Sequence, residues 1–394
     1  MKDSRTAYVV EGLLFLIYLA FGISWIAYSP IMGELEGHFH VTHAEAGSLI
    51  SLVSLAKAFV PLFAGLLAAR LGLKRALALG AGLAGIAAVL PFAPTFKLLL
   101  VGRFLFGVGG AIVVTLMGPT VMAWFSGSKL PMINGINNVA VNAGITVAYF
   151  TTVPLVNRLG WRATLVGFGV ISIVLAVAWL LFGAEADTDS KAVAQDNPRL
   201  IEMLRRPETW WLGLAFTGPL SLYLALNTWL PSHYQEAFNL SRSAASQMTG
   251  LFNLVGIPAA IFGGLLTARL GLRKPLILLS GCIMPVAALG LFASPELSVR
   301  TISAVMLGAS FFLYVAPLFT IPMELPGMTP RRVALMMGCI FSMAYIVSFL
   351  SPMLVGALRD WTGSFGPGLG LFALTSSVLA IAASRLPETG PKAR

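Results

Sequence analysis

The chain has 394 residues, 57% of them hydrophobic and 11% charged, with a mean hydropathy of +0.85 and a net charge of +10. Soluble domains average about 25% charged residues, and a soluble chain this apolar would lack the polar surface to cover itself. This excludes an ordinary soluble enzyme or nucleic-acid binder and makes the lipid bilayer the solvent. The cations sit in short loops between apolar runs, as topology signals do.

A crossing helix needs about 20 apolar residues. In chain order, spans are predicted at 9–30, 44–69, 74–94, 97–125, 131–154, 161–184, 210–231, 243–268, 275–293, 298–323, 332–357 and 365–385. The fold class is therefore an all-α membrane protein with 12 transmembrane helices. The first run ends in Tyr28-Ser29-Pro30, not in a small-residue cleavage site, and is expected to stay as a helix. Glycines and prolines recur inside the spans, which membrane helices tolerate. Gly80, Gly82 and Gly85 of the third span suit close helix packing.

The longest polar stretch, 185–206, lies at the midpoint and reads as a cytoplasmic linker. It divides an N-terminal six-helix bundle, 1–184, from a C-terminal one, 207–394. If the N-terminus is inside, the inside segments hold 18 Lys and Arg and the outside segments 6. This places both termini in the cytoplasm and the chain in the inner (cytoplasmic) membrane as a multi-pass protein. His38, His40, His43 and His233 then fall in outward loops, and Cys282 and Cys339 read as two small buried thiols.

Residues 65–75 read GLLAARLGLKR and residues 264–274 read GLLTARLGLRK, identical at eight of eleven positions. Each copy follows the second span of its half. Two like halves with a site between them is a known carrier plan. On these residues the chain resembles the major facilitator superfamily. Its loop signature is matched by Gly65, Arg70, Gly72, Lys74 and Arg75, and again by Gly264, Arg269, Gly271, Arg273 and Lys274. The acid that helps latch the two halves in that family is replaced by Ala69 and Ala268. Arg103-Phe-Leu-Phe-Gly107-Val-Gly109-Gly110 resembles the fourth-helix motif. Three stretches, 60–77, 227–241 and 351–364, are similar to the cyanate and nitroimidazole permease group, partly shared with nitrate and organic-anion permeases.

The resemblance implies two pseudo-symmetric bundles that move a solute by alternating access. Lys57 falls at the centre of the second span, where a charge costs about 2.5–3.5 kcal/mol. From there its amine is roughly 15 Å or more from either interface. No span carries Asp or Glu near its middle, so an anionic substrate would satisfy the cation. Related anion permeases also place a cation on this helix. On the fifth span Asn134, Asn138 and Asn142, followed by Thr146 and Tyr149, form a polar stripe four residues apart. Asn227 and Asn253 are weaker candidates for substrate contact, and Trp25, Tyr28, Tyr314 and Tyr345 are candidate walls or gates. Arg103 and Glu11 are candidates for coupling or gating.

The glycines of 107–110 lie within a membrane helix, and no strand precedes them, so they are no nucleotide loop. No cofactor or metal cluster is implied. The expected partners are a small anionic substrate and the lipid bilayer, with no nucleic acid, and the chain is read as a monomer that is not an enzyme. The rival readings are a proton-coupled efflux pump for drugs or metabolites, and a non-transporting membrane receptor or assembly subunit.

Overall fold

The computed structural model describes residues 5–125, 129–185 and 200–393. Among these residues all regular structure is helical. Within lipid only a helix or a closed barrel satisfies every backbone N–H and C=O, and a chain of long apolar runs takes the helix. The order is α1 (Arg5–Ile26), α2 (Met32–Phe39), α3 (His43–Leu71), α4 (Leu73–Gly85), α5 (Phe96–Trp124), α6 (Leu130–Leu159) and α7 (Trp161–Phe182). There follow α8 (Leu200–Leu204), α9 (Pro207–Phe238), α10 (Arg242–Leu270), α11 (Lys274–Ala293), α12 (Leu297–Leu313), α13 (Val315–Glu324), α14 (Pro330–Ser348), α15 (Leu350–Thr362), α16 (Gly366–Thr375) and α17 (Val378–Arg385). The linker expected at 185–206 falls mostly outside the described residues, and its last part carries α8.

Ten helical runs among the described residues are long and apolar enough to cross a membrane. Two of the expected spans miss that standard for different reasons. The third has only 13 α-helical residues and continues as 3-10 turns at Ile86–Ala88 and Leu90–Phe92, where Pro91 brings no N–H to an α-helical ladder. The seventh, α9, is 32 residues long but carries Pro219, Ser221, Tyr223, Asn227 and Thr228 in its centre. Outward faces are apolar, as lipid requires: Leu180, Leu181 and Phe182 on α7 and Val286 on α11 are all exposed. Cys282 is exposed too, contrary to the expected buried thiol. In lipid, apolarity alone does not tell an inner from an outer face.

Three spans that read as continuous are broken. Pro317 cannot donate to Leu313, where α12 ends, and Pro352 cannot donate to Ser348, where α14 ends. The freed Ser348 carbonyl accepts the Ser351 hydroxyl at 2.8 Å. Between α16 and α17, Ser376 and Ser377 turn their hydroxyls back onto Ala373 and Leu374, each at 2.6 Å, and compete with the backbone ladder.

Chain contacts gather into two units, Met1–Val41 with Ser48–Asp189, and Thr42–Gly47 with Ser190–Arg394. In the first, α1 crosses α6 with almost no space between backbones. A side chain at Gly22 would strike the Val141 carbonyl, and one at Gly144 the Leu19 carbonyl. Gly80 of α4 meets Ile112 and Gly109 of α5 in the same way, but Gly82 faces open space and takes no part. In the second, Gly308 of α12 lies against the Phe252 carbonyl of α10, and Trp229 of α9 donates to the Pro352 carbonyl at 2.7 Å. That unit also takes in the first turn of α3, whose N–H groups at His43 and Ala44 donate to Asp360 at 3.3 and 3.0 Å. The His43 ring lies 2.6 Å from the same carboxylate.

Candidate functional site

Lys57 stands at the midpoint of the 29-residue α3 and is 4% exposed. Its ammonium is clad in rings, a surrounding that the sequence reading left open. It lies 4.1 Å from the centre of the Trp25 ring, 5.2 Å from Phe21 and 5.6 Å from Tyr18, and donates to the Tyr18 hydroxyl at 3.4 Å. Positions 18, 21 and 25 share one face of α1 by helical spacing. The ring faces carry partial negative charge and hold a cation without neutralising it. The three rings are themselves neutral.

Glycines set the fit of this pocket. A side chain at Gly107 of α5 would come within 2.8 Å of the Val53 backbone on α3, and one at Gly110 would overlap the Phe21 ring. The fourth-helix motif thus clears space for the Lys57 turn and for one of its rings. Phe21 stacks on Phe106 with centres 4.6 Å apart.

Arg103, from the same motif, is wholly buried and donates to three backbone carbonyls. Nε reaches Leu49 at 2.9 Å, Nη1 reaches Ser24 at 3.0 Å and Nη2 reaches Trp25 at 2.7 Å. Ser24 and Trp25 lie in the last turn of α1, where carbonyls have no intrahelical donor and a cation is favourable. The guanidinium also lies 4.3 Å from the Tyr28 ring. Tyr28, 2% exposed, packs on Arg103, and Trp25 is held at its backbone by Arg103 and at its indole N–H by the Ile50 carbonyl, 3.4 Å away.

Along α1, Glu11 lies two turns before Tyr18, and its buried carboxyl sits beside the side-chain amide of Asn137 on α6. Asn137 is a residue the four-residue stripe passed over. Asn142 is buried at 2% exposed, next to the Val141–Gly144 crossing with α1, as are Thr146 and Tyr149, and Tyr149 pairs with Ser29. The side chains of Asn134 and Asn138 lie outside the described residues.

In the second unit Asn227 and Asn253 come together, joined by Tyr223, which the sequence reading did not name. Tyr223 donates to the Asn253 carbonyl oxygen at 2.8 Å, the Asn253 amide donates to that of Asn227 at 2.9 Å, and the Asn227 amide donates to the Tyr223 backbone at 2.9 Å. Phe252, Phe311 and Phe312 surround the Tyr223 ring. Tyr314 and Tyr345 are close enough to interact, and Tyr345 lies edge-on to Phe216 with centres 6.4 Å apart. His233 is not in a loop: it is buried in α9 with Nε2 2.7 Å from the Phe292 carbonyl. His38 likewise belongs to helix α2.

The loop signature is built the same way in each unit. Gly72 and Gly271 adopt positive φ, 79° and 64°, which favours glycine at those turns. Lacking the family acid at Ala69 and Ala268, each loop takes an acid from beyond its unit's last helix. Glu185 accepts from the Leu73 N–H at 2.9 Å, and Glu388 accepts from the Arg273 and Lys274 N–H groups at 2.7 and 3.0 Å. Arg273 also forks onto Glu324 at 2.5 and 3.0 Å, and Thr389 donates to Glu324 at 2.7 Å. Lys274 donates to the Ser384 carbonyl at 3.2 Å. Among the other signature positions, Gly65 and Gly264 face open space, Arg70 and Arg269 lie in the last turns of α3 and α10, and Lys74 and Arg75 lie in the first turn of α4. Burial disfavours the Glu388 carboxylate, but the N–H donors from Arg273, Lys274, Gly390 and Thr389 outweigh it and hold its pKa below the usual carboxylate range.

Comparison with known proteins follows the same lines. Over 375 residues the chain is 22% identical to a nitrite extrusion protein of Bacillus subtilis, covering 91% of this chain and 89% of that protein. Over 378 residues it is 23% identical to a 2-nitroimidazole transporter of Escherichia coli, covering 95% and 93%. A crystal structure of a bacterial homologue of the human lysosomal transporter Spinster shares the fold with a TM-score of 0.77 at 17% identity, over 97% of this chain and 96% of that one. The Major Facilitator Superfamily description matches residues 14–352, and the chain is a member of that family of membrane transporters.

Proposed function

We propose that this transporter moves a small anionic solute by alternating access, and that Lys57 is the residue that meets the anion. The carrying observation is the Lys57 ammonium, buried at the middle of α3 against the rings of Tyr18, Phe21 and Trp25. An oxyanion entering beside Tyr18 and Trp25 would accept a charge-assisted hydrogen bond from the amine. We assign Asn142, Asn138 and Asn134, all on α6, to hydrogen-bonding the same anion. The similarity to a nitrite extrusion protein supports a small planar anion, and the similarity to a 2-nitroimidazole transporter supports the narrower grouping with cyanate and nitroimidazole permeases. The six-helix halves 1–184 and 207–394, with both termini cytoplasmic in the inner membrane, are part of this reading.

The test is a thermal-stabilisation screen of purified protein with nitrite, cyanate and short carboxylates, followed by uptake into proteoliposomes. Wild type should be stabilised saturably by at least one anion and should take it up, and Lys57→Met should fold but do neither. Uptake by Lys57→Met at the wild-type rate would overturn the assignment.

A second reading, proton-linked transport, rests on Glu11, a carboxyl 8% exposed beside Asn137. Here Glu11→Gln should abolish transport driven by a pH gradient while leaving equilibrium exchange of the anion. Unchanged gradient-driven accumulation by that variant would remove Glu11 from coupling.

A further inference from the structure

Arg300, the fourth residue of α12, is only 4% exposed. Its guanidinium carbon lies 4.6 Å from the centre of the Phe238 ring and 5.6 Å from that of Tyr234, so it is covered by aromatic carbon at the end of α9. Its Nε and Nη1 atoms are buried and have no hydrogen-bond partner. The neighbouring Tyr234 is itself engaged: its hydroxyl donates to the Leu291 carbonyl at 2.9 Å, and its own carbonyl takes the Leu240 N–H at 3.2 Å. Of the acids at this end, Glu236 is paired with Arg359 at 2.8 Å and Glu296 is exposed on the preceding turn, its carbonyl taken by the Arg300 N–H.

Arg103 shows a buried guanidinium satisfied by the protein itself: each of its three nitrogens donates to a backbone carbonyl. A guanidinium cannot shed its charge, and leaving it buried with unpaired donors is costly. We propose that Arg300 is a binding site for a phosphate oxyanion, and that the phosphate belongs to a phospholipid headgroup, not to a soluble ion. The surroundings favour lipid. Leu297, one turn before Arg300 and on the same side of α12, is 60% exposed, and Arg300 is the fourth residue of a run long and apolar enough to cross a membrane, so it lies at the headgroup end of that run with an apolar contact for an acyl chain beside it. The rings of Phe238 and Tyr234 exclude water from the pair, which strengthens the charge-assisted bonds.

The experiment uses delipidated, purified full-length protein in native mass spectrometry, with phosphatidylglycerol, diacylglycerol or inorganic phosphate added separately. Wild type should retain phosphatidylglycerol adducts and bind diacylglycerol, which lacks the phosphate, far more weakly. Arg300→Met should lose phosphatidylglycerol affinity about tenfold, Arg300→Lys should fall between, and Glu296→Gln should behave as wild type. Equal phosphatidylglycerol binding by wild type and Arg300→Met overturns the site. Should Arg300→Met fail to fold, equal retention of phosphatidylglycerol and diacylglycerol by wild type does so as well. Inorganic phosphate that binds wild type, is lost in Arg300→Lys and displaces no lipid overturns the lipid assignment.

Discussion

The Lys57 pocket and the Tyr223–Asn227–Asn253 ring are two polar islands among apolar helices, and they are built on opposite principles. The ring closes on itself: each amide and hydroxyl meets a partner within 2.9 Å. Such a network is bonded internally before any solute arrives. The Lys57 pocket is lined with ring faces that steady a cation but add no negative charge. A closed polar network spends its donors on itself, whereas ring faces hold an ammonium through its charge.

That contrast can be broken experimentally. The largest effect belongs to the support beneath the pocket. Arg103→Met strips donors from three carbonyls and should destabilise the protein by about 3 kcal/mol or more, read as a drop in thermal unfolding temperature and poor recovery in detergent. Lys57→Met should weaken binding of the stabilising anion about 10- to 100-fold with its unfolding temperature near wild type, the reverse of the Arg103 result. Asn253→Ala opens the ring and should cost about 1–3 kcal/mol of stability, yet leave anion affinity in the folded protein unchanged. A loss of affinity there matching that of Lys57→Met would erase the distinction. Trp25→Leu should weaken anion binding by about 1–2 kcal/mol in titration calorimetry by loosening the amine.

The smallest effect concerns the Glu388 cap. Its pKa is depressed, so its contribution is present above the ordinary carboxylate pKa and is lost as pH falls through the lower folded value. Glu388→Gln should flatten the fall in unfolding temperature on acidification below about pH 4 by a small margin, since the group is only partly buried.

Much of this was legible in the sequence, and the gaps have physical causes. Lys57 stood out because a charge in the middle of an apolar run is expensive anywhere in lipid. Asn227 and Asn253 stood out for their polarity. Tyr18 and Phe21 did not, since aromatic residues on a membrane helix look alike whether they face lipid, packing or a cation. Trp25 was legible as a wall but not as the ring nearest the amine. Tyr28 and Arg103 were expected near a gate or coupling step, and their contacts are with each other, with the end of α1 and with Leu49 of α3. Glu185 and Glu388 could not be read as loop caps, because they reach back more than a hundred residues along the chain. The breaks at Tyr314, Phe349 and Ser376 were visible in principle, as each has a proline or serine at the offset that interrupts the ladder.

Those breaks set the mechanical character of the second unit. A rod whose ladder is already interrupted bends at the interruption without rupturing further bonds, whereas an unbroken helix such as α7 resists at every turn. At Leu313 the missing donor, and at Ser348 the serine hydroxyl that stands in for one, leave seams that act as compliant joints. Deformation during a working cycle should concentrate at these joints. Paired spin labels straddling Phe349 should accordingly report a broader spread of separations than labels spaced equally along α7.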